Sequence, residues 1–509
     1  MKIVFPVMGA ENISVGYLAT ALKKAGHTVQ VAFDRALFDD KQYFSVPLLN
    51  SIFSEKEKMV REIIRARPDI LAMSVFADNY QWGLDVARRV RRRHRCVTVW
   101  GGMHPTSCPD EVISQNEVDY LITGEGERPF VELLAALSEN SDPGAILNLW
   151  MKKGSAVIRN QPRPLMDARE FPVADKQIYE EFIPLRDYYL TVTSKGCIVA
   201  CSYCMQDFLK DWEGRLGLGS FLREKPVDMV LTELKAMKEK YGIRYVDIKN
   251  NVLSGDRLWL GEFLRRYPKE VGVPFRIMGH PLLFQSDLAL RLKEAGCHHI
   301  QIGIESFNPA VRREALCRQE TNQQIIDALD SIEKAGINFS ADIMVGLPGE
   351  SEADLALALK VLSGYRRLIR ASIFWLQYMP RVRITRLALE NGYIRPQQEA
   401  MINQGLQNNY LSTGSPMEPQ RMRILKTYHI LFRLLPVMPP KAMNFLLDSG
   451  LRRIFRYLPF QVGIIILVDI FVSYARRDYY AKWIMRWYAR QIFNYLTGRV
   501  KNISRQEGY

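Results

Sequence analysis

Three closely spaced cysteines constrain this chain more than any other part of its sequence. Cys197, Cys201 and Cys204 follow directly on an apolar, β-rich run at residues 188–193. A cubane iron–sulfur cluster is normally held by four thiolates, so a loop that supplies three leaves one iron without a protein ligand. The spacing therefore predicts a [4Fe–4S] cluster with one iron open to a cofactor or a substrate.

A structural zinc site is the alternative interpretation of these cysteines. Zinc in such sites takes four ligands in a closed tetrahedron, and no second CxxC or HxxxH pair lies nearby in the sequence. The remaining cysteines occur singly, and their spacing suggests buried thiols rather than disulfides: Cys96, Cys108, Cys297 and Cys317. Free thiols together with a reducible cluster predict a reducing, cytoplasmic setting.

The CxxxCxxC spacing, with Tyr203 before the last cysteine, resembles the cluster loop of the radical S-adenosylmethionine (SAM) superfamily. In that family the open iron chelates the amino and carboxylate groups of SAM, and one electron from the cluster cleaves SAM to a 5′-deoxyadenosyl radical. The resemblance implies that Cys197, Cys201 and Cys204 bind the cluster and that Tyr203 lies beside SAM. It assigns no catalytic residue beyond the cluster.

Strand and helix patterns alternate through residues 1–140. Short apolar strands are predicted at residues 2–7, 28–33, 70–76, 97–101 and 119–123, with helices such as residues 15–25 and 81–93 between them. This alternation predicts an open parallel sheet of Rossmann-like, flavodoxin-like type, whose ligand crevice lies beyond the carboxyl ends of the strands. The residues at those ends are the candidates for binding.

Those strand ends are rich in glycine, which lets a backbone approach a flat ligand closely. In this order, ahead of a radical SAM loop, GGMHPT and GEGE resemble the cobalamin-binding domain of cobalamin-dependent radical SAM enzymes. The DxHxxG motif is absent, which implies cobalamin without a histidine on cobalt; His104 is either a corrin contact or a structural histidine. The alternative is a retained fold that binds no cobalamin. The implied contacts are Ser74, Val75, Gly101, Gly102, His104, Thr106, Gly124, Glu125 and Gly126.

Residues 141–186 show little periodicity, contain Pro162, Pro164, Pro172 and Pro184, and are interpreted as a linker. Alternation then resumes in residues 187–385, the predicted radical SAM core. Strands are predicted at residues 188–193, 245–249, 275–278, 299–304, 339–345 and 372–377. Six β/α units fit the partial (β/α)6 barrel of radical SAM proteins, with chemistry at the carboxyl ends of the strands.

Polar and glycine-rich residues again follow these strands. By resemblance to the family, Asn250 and Asn251 lie where SAM's amino group is bound, although the commoner GGE is missing, and Glu305 with Ser306 faces SAM. The run from Gly346 through Pro348 and Gly349 to Glu350 resembles the turn along adenine. A helix-capping acid at Glu305 and an ordinary turn at residues 346–349 are the alternatives.

Two arginines follow the sixth strand, where the family often has a Pro-x-Pro-Gly-Thr run. Arg381 and Arg383 have two interpretations, contact with an anionic group of the substrate or of SAM, and solvation at the surface.

Residues 386–509 are predicted to form a basic, helical C-terminal domain. They hold 18 Lys and Arg against 7 Asp and Glu, a balance of +11 out of the chain's +14. An apolar run at residues 458–475 is broken by Pro459, Gly463 and Asp469, and its longest uncharged stretch falls short of the roughly 20 residues that span a bilayer. The following basic, Trp-rich helix, with Lys482, Arg486 and Arg490 on one face, fits either an anionic membrane surface or a solvated cap on the barrel.

The remaining sequence features limit localisation and partners. The start runs into an apolar strand without the pattern of a secretion signal, so no export is expected. The arginine run at residues 88–95 carries no interleaved aromatic residues, and no nucleic-acid partner is predicted. We expect a cytoplasmic protein, with peripheral contact at the inner face of the membrane as the alternative.

Together these features predict a cobalamin-dependent radical SAM enzyme that methylates an unactivated carbon. Its expected partners are a small-molecule or lipid substrate and an external one-electron reductant of flavodoxin or ferredoxin type. A radical rearrangement or cyclisation without methyl transfer, and a non-catalytic iron–sulfur electron carrier, are the alternatives.

Overall fold

The computed structural model describes residues 1–40, 44–284, 287–406, 418–458 and 461–505. Within these residues two α/β sheets follow one another along the chain, and helices make up most of the C-terminal region. This arrangement confirms the predicted α/β class with a helical C-terminal part.

The first sheet is parallel over most of its width. Among the described residues its strand order is β2-β1-β5-β6-β7-β8-β9, with parallel pairing from β2 to β7. Its strands, and a small separate ribbon of β3 and β4, are β1 (Lys2–Met8), β2 (Thr28–Asp34), β3 (Asp39–Asp40), β4 (Phe44–Ser45), β5 (Ile70–Ser74), β6 (Val97–Gly101), β7 (Tyr120–Ile122), β8 (Leu149–Lys153) and β9 (Ala156–Arg159). The helices are α1 (Ile13–Lys24), α2 (Pro47–Phe53), α3 (Lys56–Ala66), α4 (Tyr80–Arg91), α5 (Met103–Ser107), α6 (Pro109–Ile113) and α7 (Glu127–Ser138).

The sheet continues past residue 140, where the sequence analysis places the start of a linker. β8 pairs antiparallel with β7, and β9 pairs antiparallel with β8. Residues 149–159 therefore form a hairpin on the edge of the first sheet. Because Lys and Arg residues interrupt this short segment, it contains no continuous apolar run that would predict a strand.

The second sheet is a parallel partial barrel with the order β10-β13-β14-β15-β16-β17. All six predicted strands are present, so the expectation of a six-stranded barrel is confirmed. The elements are β10 (Tyr189–Thr191), β11 (Ser194–Lys195), β12 (Arg223–Glu224), β13 (Val246–Ile248), β14 (Phe275–Gly279), β15 (Cys297–Glu305), β16 (Asn338–Val345) and β17 (Leu368–Trp375), with α8 (Met205–Arg215), α9 (Val227–Tyr241), α10 (Arg257–Glu270), α11 (Leu288–Glu294), α12 (Asn322–Lys334) and α13 (Glu352–Leu362).

Strand β15 shows how the barrel divides its two faces. Ile300, Ile302 and Ile304 are fully buried in the apolar core shared with the helices. The alternate residue Gln301 faces a polar network instead, since its amide donates to Asp342 Oδ2 at 2.7 Å. The period of two residues in a strand thus gives the barrel a polar lumen inside an apolar shell.

The C-terminal helices are α14 (Arg383–Glu390), α15 (Pro396–Asn403), α16 (Pro419–Leu434), α17 (Pro440–Asp448), α18 (Gln461–Ala475) and α19 (Tyr479–Leu496). Helix α16 packs Tyr428 and Leu431 into the barrel core, whereas α19 buries Trp487 in the core of the first sheet. The C-terminal part therefore packs on both sheets.

No helix within the described ranges combines the length and apolar character needed to cross a bilayer. Pro459, which interrupts the apolar run in the sequence, lies outside the described residues.

Candidate functional site

The loop with the three cysteines connects the short strand β11 to helix α8. All three thiols are free of disulfides, and those of Cys197 and Cys201 are buried. Gly196, immediately before the loop, has a φ of +91°, and a Cβ there would overlap the carbonyl oxygen of Phe221. Glycine is therefore the residue that fits at the entry to the loop.

The middle of the loop is fixed by main-chain contacts. The Ser202 N–H donates to the Leu316 carbonyl at 3.0 Å, and the Ile384 N–H donates to the Ser202 carbonyl at 3.0 Å. Burial raises the pKa of the Cys201 thiol to about 12 and that of Cys204 to about 11.

Arg318 connects the cysteine loop to the end of β15, and no sequence motif marks it. Its guanidinium is buried, with Nη1 3.8 Å from Cys201 Sγ and 3.7 Å from Glu305 Oε1. Nη2 donates to the Gly303 carbonyl at 2.7 Å, and Nε donates to Glu320 Oε1 at 2.5 Å. One cation thus lies between two buried carboxyl groups beside a thiol.

Glu305 ends β15 in an unusual backbone conformation. Its φ is +66°, and the pairing of β15 with β16 shifts register between Gly303 and Glu305, as in a β-bulge. The Tyr203 hydroxyl donates to Glu305 Oε1 at 2.9 Å. Burial raises the pKa of the Glu305 carboxyl to about 7, against the opposing effect of Arg318. Strain of this kind is concentrated at functional sites.

Gly303 lies under this carboxylate. A Cβ at Gly303 would be 2.8 Å from Glu305 Oε1, closer than side-chain contacts allow. The glycine of the GIES motif, residues 303–306, therefore makes room for the side chain two residues later.

The asparagines after β13 organise the start of the cysteine loop. Asn250 is buried, accepts from the Thr193 N–H at 2.7 Å and donates to Thr193 Oγ1 at 2.6 Å. Asn251 Nδ2 donates to the Gly196 carbonyl at 2.9 Å. Both side chains thus link two neighbouring strand ends.

The ends of β15 and β16 also meet. The Ser306 hydroxyl donates to Glu350 Oε1 at 3.1 Å, while Glu350 Oε2 is buried without a hydrogen-bond partner in the described part of the chain. Burial raises the pKa of Glu350 to about 8. The turn that leads to it contains Pro348 and has positive φ at Gly346 and Gly349, 83° and 78°.

A cleft between the two sheets brings seven of the nine predicted cobalamin contacts together with the two asparagines that follow β13. From the first sheet it is lined by Ser74, Gly101, Gly102, Thr106, Gly124, Glu125 and Gly126. From the barrel it is lined by Lys195, Gly196, Lys249, Asn250 and Asn251, beside the cysteine loop. The carboxyl ends of both sheets therefore face one space, as expected for ligand binding at such edges.

His104 and Val75 are not among the residues that line this cleft. The His104 ring is buried, its centroid lies 4.3 Å from that of Tyr80, and neither ring nitrogen has a hydrogen-bond partner among the described residues. Burial lowers the pKa of His104 to about 4, so the ring is neutral. This environment matches the structural interpretation of the histidine.

Glu125 joins the first sheet to the β11–β12 ribbon beside the cysteine loop through ion pairs. Lys195 Nζ lies 2.9 Å from Glu125 Oε1 and 2.9 Å from Glu127 Oε1. Arg223 Nη1 lies 3.0 Å from Glu125 Oε1, and the Met166 N–H donates to Glu125 Oε2 at 2.8 Å. The pKa of Glu125 is lowered because these cations outweigh the effect of burial.

Several other lining residues lack a signal in the sequence. Lys195 lies beside the cysteines, but Arg223 comes from the partner strand β12 and Glu213 from α8. Burial raises the pKa of Glu213 to about 7. Long-range pairing brings these groups into the cleft, and local patterns do not report such pairing.

The two arginines after the sixth strand are already engaged. Arg381 Nη2 lies 3.1 Å from Glu111 Oε1 of the first sheet domain. Arg383 donates to Asp207 Oδ1 at 2.6 Å and to Cys317 Sγ at 3.3 Å. Both therefore hold parts of the protein together.

The residues present fit an iron–sulfur cluster and a flat cofactor. Three free thiols share one loop, and a buried guanidinium lies beside one sulfur. No three His, Cys, Asp or Glu side chains in the described residues converge on a single ion, but the thiolates of a cubane each bind a different iron. Across the cleft, glycines replace side chains at the edge of the sheet, so a planar ligand can approach the backbone.

Comparison with protein families agrees with this geometry. The Radical SAM superfamily matches residues 191–362, and the B12 binding domain matches residues 9–134. The chain is 26% identical over 321 residues to an uncharacterized methyltransferase of Pyrococcus horikoshii, covering 60% of this chain and 66% of that protein. It is 22% identical over 382 residues to cytidylyl-2-hydroxyethylphosphonate methyltransferase of Streptomyces wedmorensis, covering 66% and 69%. The matches thus span about two thirds of each relative's length.

Two solved structures share the fold. One is the radical S-adenosylmethionine methyltransferase TsrM from Kitasatospora setae with cobalamin and a [4Fe–4S] cluster bound; the TM-score is 0.63 at 15% identity, covering 92% of this chain and 99% of TsrM. The other is the cobalamin-dependent S-adenosylmethionine radical enzyme OxsB with aqua-cobalamin and S-adenosylmethionine bound; the TM-score is 0.62 at 14% identity, covering 98% and 81%. At these identities the likeness concerns the fold.

Both domain families match in the predicted order, and the strand ends of both domains face one cleft. The chain therefore belongs to the cobalamin-dependent radical SAM enzymes, whose cofactors are a [4Fe–4S] cluster, S-adenosylmethionine and cobalamin.

Proposed function

We propose that this chain transfers a methyl group to an unactivated carbon of a substrate held in the cleft between its two sheets. The observation that carries the proposal is the shared cleft, which the cobalamin-type strand ends line from one side and the entry to the cysteine loop lines from the other. When bound, the cofactors supply a 5′-deoxyadenosyl radical and a transferable methyl group. The protein's part is to hold them in line and to exclude water.

The roles we propose for individual residues follow from their positions. Cys197, Cys201 and Cys204 hold the cluster. Tyr203 and Glu305 face SAM, with Arg318 fixing the carboxylate, since the hydroxyl, the carboxylate and the guanidinium are already joined.

The other proposed contacts lie at the carboxyl ends of strands in both sheets. Asn250 and Asn251 hold the first turn of the cluster loop in place, and Ser306 with the turn from Gly346 through Pro348 and Gly349 to Glu350 closes the SAM side. The proposed cobalamin contacts are the lining residues Ser74, Gly101, Gly102, Thr106, Gly124, Glu125 and Gly126.

Names of relatives favour methyl transfer over rearrangement. Both relatives described above are named methyltransferases, and so is TsrM. A cyclisation remains the second candidate, because an anaerobic magnesium-protoporphyrin IX monomethyl ester cyclase of Synechocystis is 20% identical over 53% of this chain.

We further propose two partners. An external one-electron reductant of flavodoxin or ferredoxin type supplies the electron, because reductive cleavage of SAM at the cluster consumes one electron. The basic excess of residues 386–509 supports peripheral contact with an anionic membrane.

Metabolite comparison tests the reaction. Extracts of cells with and without the gene should differ by a compound in which a methyl group replaces a hydrogen. The purified, reconstituted protein should then convert the unmethylated compound, with 5′-deoxyadenosine and S-adenosylhomocysteine as coproducts. A product of unchanged carbon count would favour the rearrangement instead.

A further inference from the structure

Helix α18 presents an apolar stripe to solvent. Leu467, Ile470, Phe471 and Tyr474 are spaced as on one helix face, and their exposed fractions are 68%, 42%, 60% and 57%. Helices on a protein surface normally turn charged or polar residues outward. We infer that this stripe, with the arginines at its end, docks the protein on the surface of an anionic lipid bilayer; the inference names the surface for the membrane contact proposed above.

The orientation of α18 is fixed by its other face. Ile465 and Val472 are buried, and Asp469 Oδ1 lies 2.9 Å from Arg433 Nη1 of α16. The only charged residue of this helix is thus used for internal packing, as far as its described side chains show. The apolar stripe therefore cannot turn inward without breaking an ion pair and uncovering two core residues.

Four arginines form a groove where α18 ends. Arg366, Arg367, Arg476 and Arg477 line it together with Asn338, Ile369 and Ala475, and no acidic side chain is among these residues. Arg366, Arg367 and Arg477 are exposed. Ala475 directly follows the stripe, so the cationic groove continues the apolar face.

This combination fits one kind of partner. Apolar and aromatic side chains enter the headgroup boundary, while guanidinium groups meet phosphates at the same depth. Lys482 Nζ, 5.7 Å from the centre of the Tyr474 ring, adds a further cation at the edge of the stripe. A helix of this composition lies on a bilayer and does not cross it, in agreement with the absence of a spanning helix from the described chain.

Vesicle flotation of the full-length, reconstituted protein tests the inference. The wild type should float with vesicles that contain phosphatidylglycerol, should bind pure phosphatidylcholine vesicles more weakly, and should be released by high salt. Leu467→Asp combined with Phe471→Asp should abolish flotation. Arg367→Gln combined with Arg477→Gln should lower the affinity for these vesicles on the order of tenfold or more, because each cation near an anionic membrane surface adds a similar amount to the binding free energy.

Matched controls separate this surface from general effects. Leu258→Asp changes an exposed leucine on α10, and Arg92→Gln with Arg95→Gln removes two exposed cations after α4; both should float as the wild type does. Formation of 5′-deoxyadenosine should be unchanged in every variant, so a failure of docking is distinct from a failure of the proposed reaction.

Three outcomes would overturn the inference. The first is undiminished flotation of both the stripe variant and the arginine variant. The second is displacement of the protein from vesicles by inorganic phosphate at low concentration, which would assign the groove to free phosphate. The third is a wild-type dimer that does not float and that Phe471→Asp converts to a monomer, which would assign the stripe to a second copy of the chain.

Discussion

At the scale of single residues, the site depends on where glycine leaves room. Gly303 is the clearest case, because its missing side chain is the space that the Glu305 carboxylate occupies. The GIES motif is visible in the sequence, but Arg318, which holds the same carboxylate, is not. Its partners lie 15 residues back at Gly303 and 117 residues back at Cys201, so only the folded chain shows the group.

Gly303→Ala should displace the Glu305 carboxylate and weaken SAM binding. A Cβ 2.8 Å from Oε1 must push the carboxylate out of its place beside Tyr203. Losing one charged hydrogen bond from the carboxylate to SAM, which we propose that Glu305 makes, costs about 1.5–3 kcal/mol, or at least tenfold in affinity. Equilibrium dialysis of SAM on the reconstituted protein measures the change. Gly214→Ala, on α8 with open space around its Cβ position, is the control and should bind SAM normally.

Glu350 should make stability depend on pH in a defined direction. Its folded pKa of about 8 lies above the ordinary 4.5, so its contribution to stability is fully present below pH 4.5 and is lost as pH rises through about 8. Glu350→Gln should therefore unfold at a higher temperature than the wild type at pH 8, and the difference should shrink toward pH 5.

Glu352, at the start of helix α13, should make stability depend on pH in the opposite direction. Its pKa is lowered, since Arg452 and Arg456 outweigh the effect of burial, so its contribution is present above its ordinary pKa and is lost as pH falls. Glu352→Gln should cost stability at pH 8. If the unfolding temperatures of Glu350→Gln and the wild type differed by the same amount from pH 5 to pH 8, the proposed environment of Glu350 would be contradicted.

At the scale of elements, helix α19 fastens the C-terminal region to the first sheet. Trp487 is buried in that sheet's core, and its Nε1 donates to the Phe182 carbonyl at 2.9 Å. From sequence, the basic residues of the same helix fit a membrane surface and a solvated cap on the barrel equally well. The structure shows that Trp483, Trp487 and Tyr488 of this helix pack against the core of the first sheet, while the exposed apolar stripe belongs to α18.

Trp487→Ala should lower the free energy of unfolding by about 3–5 kcal/mol, as for other large buried aromatic residues. Phe493→Ala, on the same helix but 55% exposed, should change it by less than about 0.5 kcal/mol. Urea unfolding followed by far-ultraviolet circular dichroism compares the two variants, because this signal reports secondary structure and not tryptophan fluorescence. Equal effects would show that α19 does not hold the first sheet.

The strands were predictable because each is a short apolar run between glycines or polar turns. β1, β6 and β16 begin and end within about a residue or two of their predicted limits. The hairpin of β8 and β9 was missed, because its pairing depends on the edge strand β7 rather than on an apolar run of its own. The same limit applies to the cleft. Its glycines belong to recognisable sequence motifs, whereas no motif marks Arg223 or Glu213 as residues of the site.

At the scale of the whole molecule, the two sheet domains are coupled by charge. Glu125 contacts Lys195 and Arg223 from the ribbon next to the cysteine loop, so the cobalamin side and the cluster side are fixed relative to one another. These groups are largely buried, and an unpaired cation left among them is costly.

Glu125→Gln should therefore destabilise the protein by about 3–5 kcal/mol, because it leaves the buried Arg223 without its ion-pair partner, although Lys195 keeps Glu127. Differential scanning calorimetry should show that the variant unfolds at a lower temperature, and over a broader temperature range, than the wild type. The control Glu132→Gln breaks a partly exposed pair with Arg163 and should cost less than about 1 kcal/mol. Indistinguishable transitions would show that the two domains are held together elsewhere.

The account as a whole requires a cluster whose open iron takes SAM. Electron paramagnetic resonance of the anaerobically reconstituted and reduced protein, recorded with and without SAM, measures this directly. We expect a [4Fe–4S] signal that SAM alters in the wild type and that is absent from the Cys197→Ala, Cys201→Ala, Cys204→Ala triple variant. A signal that ignores SAM, or one that persists in the triple variant, would contradict the account.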